Sequence, residues 1–561
     1  MLLRFVASSL VALGFVASCG CTESEPDTEA IVVSQESPQP SSRAGGSPID
    51  APRTDVREPT LVESNLPLPG SKSEPELESL AEGGTVEPTA TELNSKPVAG
   101  RDTDSPGSSN AATEPSGGRT IPQPRKSLAD LLVGDDTSSL IPTEEHRPEL
   151  PVTEQRIDNQ RVSDSGIRRL IGNYVTIYTD IPPQAAVDEL PAVFDQAVPQ
   201  WARYFHIPRE KYDRWKMVGY IMKAPDRFQR AGLLPADLPQ FLHGYQRNNE
   251  FWMYEQEYDY YRRHLMLHEA THGFMNAVLG GAGPPWYMEG MAEHLGTHSW
   301  QDGKLTLAVF PTDRRDVPGW GRVKLIKDEF AAGRGMMLRD IMLFDNRSHL
   351  QLPPYAWSWA AVTFLDSHPE YRMRFRSMQT HVHDNTVNFS VELQELLGAE
   401  LREVDEQWQM FVVNMEYGYD IQRNAVQFTA GEAVPARGAS VRIQSDRGWQ
   451  SSGYRFEAGH RYRISATGRV QIAERPEIWW SEANGITIDY FGGFPLGMLM
   501  GKVRLDEPSD GVANLVSPSP LSDNQTVQAD ASGTLYLKIN DHPSGLADNV
   551  GEYLVRLEPL D

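Results

Sequence analysis

His268 and His272 stand four residues apart in Leu265-Met266-Leu267-His268-Glu269-Ala270-Thr271-His272-Gly273-Phe274, with Glu269 directly after the first histidine. On a helix, positions four apart share a face, so both imidazoles can converge on one cation. Glu269 then points toward the open coordination position, where a carboxylate can take a proton from water. Such a set performs hydrolysis by a single zinc ion, with Glu269 as general base. A third ligand must come from elsewhere. The 2 cysteines are Cys19 and Cys21, so thiolates are excluded from the rest of the chain and the ligand must be His, Asp or Glu. The continuation Pro284-Pro285-Trp286-Tyr287-Met288-Glu289-Gly290-Met291-Ala292-Glu293-His294 supplies Glu289 and His294, with His298 just beyond.

These side chains need helices behind them and a sheet beside them. Tyr258 to Val278 predicts a long helix ended by Gly280-Gly281 and Pro284-Pro285, and a second helix begins near Met288. Upstream, Tyr174 to Tyr178, Met217 to Met222 and Glu250 to Tyr254 read as strands, and Ala185 to Phe205 as a helix. Further helices fit Ala356 to Ser367, Asn388 to Leu397 and Glu403 to Tyr417. Strands first and helices after predict an α+β domain over residues 165–420. From 425 to 561, short β segments alternate with Gly, Asp, Asn and Pro turns (Tyr454 to Phe456, Arg461 to Ser465, Gly485 to Tyr490, Leu535 to Ile539, Tyr553 to Leu557). That pattern predicts an all-β sandwich.

The N-terminus carries an address. Arg4 precedes the apolar stretch Phe5 to Val16, which is too short to span a bilayer and reads as a signal-peptide core. Val16-Ala17-Ser18-Cys19 resembles a bacterial lipobox, which implies a signal over residues 1–19 and acylation of the Cys19 thiol. The chain is expected to be exported and anchored by lipid in a bacterial envelope, or otherwise periplasmic or secreted. Residues 20–164 are rich in Ser, Pro, Glu, Thr, Asp and Gly, a composition that predicts a disordered acidic linker. The formal net charge of -25 argues against nucleic-acid or anionic-membrane binding, since both need a cationic face.

The two helices together resemble those of the gluzincins, whose second active-site helix carries an aromatic-x-x-Glu-Gly-x-Ala pattern. The resemblance implies a zinc ion held by His268, His272 and Glu289, with Glu269 as general base. It also implies that Glu293 accepts a hydrogen bond from a ligand histidine, fixing its tautomer. The early Tyr174 to Asp180 strand and the later Tyr355-Ala356-Trp357-Ser358-Trp359 resemble those of poorly characterised bacterial gluzincins, over roughly residues 170–415. A metzincin would need a histidine where Val278 stands. Tyr355 is the candidate donor to the oxyanion. The expected strand for laying out a peptide is Glu250 to Tyr254.

In the C-terminal part, Tyr454 to Tyr462, Pro495-Leu496-Gly497, Leu535 to Asp541 and Asp548-Asn549-x-Gly551 resemble the PA-I galactophilic lectin fold. The resemblance implies calcium at Asp541, Asp548 and Asn549, and glycan as a partner. The chain departs from that pattern at Gly545 and Asp548, where the lectins carry Thr and Asn. The function expected is an exported zinc metallopeptidase acting on peptide or protein. The competing readings are a glycan-binding surface adhesin on an idle scaffold and a zinc amidase acting on cell-wall peptide.

Overall fold

The computed structural model describes residues 157–507 and 511–561 of the 561-residue chain. The signal-like segment, Cys19, Cys21 and the expected linker up to residue 156 lie outside them. A short helix, α1 (Asn159–Asp164), falls inside the stretch expected to be linker. Asp158 caps it by accepting from the backbone N–H groups of Gln160 and Arg161, and Val162 is buried in a cluster with Ile167, Tyr178 and Trp252. The boundary near residue 165 is therefore too late. An N-cap aspartate and one buried valine are enough to dock a helical turn that composition alone does not reveal.

The first region combines one mixed sheet with a set of helices. Strands β1 (Arg168–Ile171), β2 (Val175–Thr179), β3 (Met217–Met222), β4 (Gly244–Arg247) and β5 (Glu250–Tyr254) align in the order β1-β2-β3-β5-β4. β2, β3 and β5 run parallel, and the outer strands are antiparallel to their neighbours. β2 and β3 are buried throughout, as central strands covered on both faces must be. Val175, Ile177, Met217, Ile221, Phe251 and Met253 face the main core. Tyr178, Val218, Tyr220, Met222 and Trp252 pack on the opposite face. Glu250–Tyr254, the strand expected to lay out a peptide, is not an edge of the sheet. The edge is β4, whose short polar run Gly-Tyr-Gln-Arg carries no strand pattern of its own and is held by pairing to β5.

The main helices are α2 (Leu190–Tyr204), α3 (Asp259–Phe274), α4 (Pro285–Gly296), α5 (Arg322–Ala331), α6 (Leu352–Ser367), α7 (Val387–Leu397) and α8 (Leu401–Val413). The expected helix from Ala185 breaks at Glu189, where Pro191 starts a new first turn. α3 is buried from His264 through Phe274, and α4 packs against both α3 and α6. Gly290 makes the α4–α6 approach possible. A Cβ there would stand 2.6 Å from the Ser358 carbonyl oxygen and 2.5 Å from Val362 Cγ2.

The C-terminal region is sheet-rich. A five-stranded sheet contains Leu499–Leu505, Gly533–Ile539 and Gln450–Phe456, and a four-stranded sheet contains Arg461–Thr467, Glu552–Pro559 and Ala439–Gln444. Leu535, Leu537 and Ile539 from one sheet meet Ile464, Tyr553, Val555 and Leu557 from the other in one core, at the alternation strands require. Arg504 joins this region to α8, donating to Glu406 at 2.7 Å and Glu403 at 3.0 Å. No described helix is long and apolar enough to cross a membrane.

Candidate metal centre

α3 places His268 and His272 one turn apart on the face it presents to α4, and α4 answers with Glu289. The two imidazole Nε2 atoms are 3.1 Å apart, and Glu289 Oε2 lies 3.2 Å from His268 Nε2 and 3.3 Å from His272 Nε2. Three donors of a tetrahedral zinc ion with bonds of about 2.0–2.1 Å stand about 3.3–3.4 Å from one another. The observed triangle fits that size. Glu289 Oε2 is buried with no hydrogen-bond partner, which is costly unless a cation completes it. Burial alone would raise the Glu289 carboxyl, but the imidazoles of His272 and His268 outweigh it and hold it well below the ordinary carboxylate range.

Glu269 comes from the same turn of α3 and faces β4. Gly244 of β4 packs directly on its carboxyl: an added Cβ would stand 2.3 Å from Glu269 Oε1. Burial pushes the Glu269 carboxyl up to about 8, with Glu289 and Glu293 adding to the rise and His272 opposing it. A cation among His268, His272 and Glu289 acts in the opposite direction and favours the carboxylate.

Glu293 sits one turn beyond Glu289 and is fully enclosed. Arg322, at the start of α5, grips it from the far side through Nε to Oε2 at 3.0 Å and Nη2 to Oε1 at 2.8 Å. Toward α3, Oε1 lies 3.5 Å from His268 Nδ1 and Oε2 3.3 Å from His264 Nε2. Burial opposes ionisation of Glu293, but Arg322 and then His264 hold its carboxyl well below the ordinary range. Glu269, Glu289 and Glu293 are all buried, as is Arg322. Glu289 and Glu293 are held ionised against the one guanidinium of Arg322, so the enclosed site is short of positive charge, which a cation in the triangle would supply.

Tyr355, on the first turns of α6, brings its ring centroid to 6.1 Å from that of His268. Burial, then Glu289 and Glu269, raise its phenol, so it stays a donor. His349 packs edge-on against Tyr355 at 5.1 Å and bonds Ser358 Oγ at 3.1 Å, with Nδ1 buried and unpartnered. The other two histidines weighed as third ligands are committed elsewhere. His294 contacts Thr363 at 3.0 Å and Asp366 at 3.3 Å, and His298 stacks on Tyr260 with centroids 4.5 Å apart. His294, five residues after Glu289, lies off the face α4 turns toward α3 and meets α6 instead, whereas His298 is past the end of α4 and packs on the first turn of α3.

Sequence reasoning missed His264, Arg322, His349 and Gly244. His264 carried a signal, since it continues the four-residue spacing of His268 and His272 backward. Arg322 carried none: it reaches the site only through packing of α5.

In the C-terminal region, Asn549 Nδ2 donates to Asp541 Oδ2 at 2.8 Å, and Asn549 Oδ1 is buried without a partner. Burial pushes the Asp541 carboxyl up to about 6, opposed by the Asn549 bond. The Asp548 carboxylate accepts from the backbone N–H of Glu474 at 2.9 Å. The structure thus joins Asp541 to Asn549 and gives Asp548 a partner of its own.

No family model matches the chain, and no curated protein matches it. Among solved structures the chain is similar to one described as "EclA N-terminal domain; PllA-like lectin", at 17% identity, over 21% of this chain and 94% of that one, with a TM-score of 0.17. It is also similar to IMPa from Pseudomonas aeruginosa in complex with an O-glycopeptide, at 12% identity, over 48% of this chain and 27% of that one, with a TM-score of 0.12. Both scores are low, and the chemistry of the site rests on its geometry.

Proposed function

We propose that the chain is a zinc-dependent hydrolase of peptide bonds, with His268, His272 and Glu289 as ligands and Glu269 as general base. The observation that carries this reading is the three-donor triangle of His268, His272 and Glu289 with a second buried carboxyl, Glu269, held between it and the sheet edge. A zinc ion held there supplies Lewis acidity, polarising a carbonyl oxygen and acidifying water. Glu269 takes the proton of the attacking water and delivers it to the leaving amine. The Tyr355 hydroxyl, which has no hydrogen bond among the described residues, is the donor for the developing oxyanion.

β4 supplies the means to hold an extended substrate. His243 O accepts from Tyr254 N at 2.9 Å, so His243, Tyr245 and Arg247 spend their backbone groups on β5. By alternation, Gly244 and Gln246 turn theirs to the open side. A peptide strand added there meets the Glu269 carboxyl at Gly244.

The same reading treats the chain as an exported envelope protein acting on peptide or protein. In the C-terminal region, Asp541, Asp548 and Asn549 are proposed to bind calcium, and a glycan is the proposed partner. The reading is tested by digesting a broad peptide library, including cell-wall peptides, with the full chain before and after chelation. Chelator-sensitive cleavage supports it. No cleavage of any peptide by zinc-loaded protein overturns it in favour of an adhesin.

A further inference from the structure

We propose that Arg322 is a positioning residue of the metal centre: its guanidinium fixes the Glu293 carboxylate in the orientation that serves His264 and His268, and so sets the tautomer and angle at which His268 offers Nε2. This rests on the reading of His268, His272 and Glu289 as ligands.

The guanidinium is itself anchored. Arg322 Nη1 donates to the Trp320 carbonyl at 3.1 Å, and the Trp320 ring packs edge-on against Trp359 of α6 at 4.7 Å. Gly321, at φ +60°, turns the chain so that Arg322 becomes the first residue of α5. The fork therefore approaches Glu293 from a fixed direction, independent of α3 and α4. A carboxylate has about four acceptor directions. The guanidinium takes one on each oxygen, at 3.0 and 2.8 Å, and the imidazoles of His264 and His268 face one each, at 3.3 and 3.5 Å. Two-point attachment pins the plane of the carboxylate, which a lysine ammonium cannot do. With that plane fixed, Glu293 Oε1 stands 3.5 Å from His268 Nδ1, where its charge favours the ring proton on Nδ1 and leaves the Nε2 lone pair for the ion.

His264, His268 and Glu293 also form a group that could hold a cation. The guanidinium already supplies positive charge to both oxygens of Glu293 and repels a second ion. One ion at this centre follows, not two.

The test compares full-length wild type with Glu293→Gln, Arg322→Lys, Arg322→Met and the double variant Arg322→Met/Glu293→Gln. Zinc affinity is read by chelator competition, the ligand field by absorption of the cobalt-substituted protein, and the fold by the melting temperature of the metal-free form. Arg504→Met serves as a control, because it breaks a distant, partly buried ion pair and should lower melting without moving zinc affinity.

Wild type should bind one zinc. Arg322→Lys and Arg322→Met should each bind zinc about 10- to 100-fold more weakly with an altered cobalt spectrum. The double variant should be no weaker than the weaker single, since both changes act through one carboxylate. If Arg322→Met does not fold, the lysine variant carries the test. An Arg322→Lys variant with wild-type affinity and spectrum overturns the proposal, as does a double variant whose loss equals the sum of the singles. Two zinc ions in wild type overturn it as well. A wild type that binds no zinc fails earlier, at the ligand assignment itself.

Discussion

Gly244→Ala isolates the position of the general base from the binding of the metal. Gly244 is not among the residues at positive φ, so alanine suits its backbone, and on an edge strand it need not disturb the sheet. Its Cβ would stand 2.3 Å from Glu269 Oε1, 3.0 Å from Cδ and 3.1 Å from Cγ. Unbonded carbon and oxygen need about 3.0–3.3 Å, so the carboxylate must retreat by about 1 Å. A displacement of about 1 Å in a catalytic group costs roughly 10²-fold in rate, equivalent to about 2.7 kcal/mol. The three atoms nearest the new methyl all belong to Glu269 and none to His268, His272 or Glu289, so zinc content should not change. The assay is kcat/KM on a peptide selected from the library, beside zinc per chain and melting temperature. Gly244→Ala combined with Glu269→Gln should be no slower than Glu269→Gln alone. A folded, zinc-loaded Gly244→Ala enzyme with wild-type turnover would refute the reasoning, because the base would then not work from where it packs.

Removing zinc at constant calcium should lower the melting temperature of the wild type but not of Glu289→Ala, because a ligand that binds only the folded state stabilises it by mass action; equal melting of zinc-loaded and zinc-free wild type would contradict this. His368 should make the protein acid-sensitive. Its Nε2 bonds Gln407 Oε1 at 2.8 Å, its Nδ1 accepts from Glu370 N at 3.2 Å, and burial holds it down to about 4 from an ordinary 6.5. The unfolded chain therefore binds the extra proton between pH 6.5 and 4, and stability falls as pH falls through that window, by up to about 3 kcal/mol. Denaturant titrations of wild type and His368→Gln should diverge there; parallel curves would count against it. Calcium should raise the melting temperature of the full chain and Asp541→Ala should abolish the rise, whereas an unchanged wild type would leave the loop a hydrogen-bonded turn.

Much of the frame was legible because apolar periodicity and secondary structure coincide in buried elements. Met217–Met222 and Glu250–Tyr254 are strands with the ends the sequence suggests, and His268, His272 and Glu289 fall on the two helices α3 and α4. The misses share a physical cause. β4 has no apolar alternation, since an edge strand buries little and depends on its partner. Arg322 reaches Glu293 across 29 residues of sequence, through Trp320 packing against α6. His294 is of a ligand type but lies off the helix face that α4 turns toward α3, and His298 falls in the strand after it; composition records neither. Gly244 is informative only once Glu269 is seen against it.

The most direct test of the central claim is zinc stoichiometry measured beside turnover for Glu269→Gln and Glu289→Ala. Glu269→Gln should keep close to one zinc per chain and lose about 10²- to 10⁴-fold in hydrolysis, the range general acid–base catalysis supplies. Glu289→Ala should lose zinc and activity together. A fully active Glu269→Gln enzyme, or a Glu289→Ala chain that keeps its full zinc, would contradict the assignment.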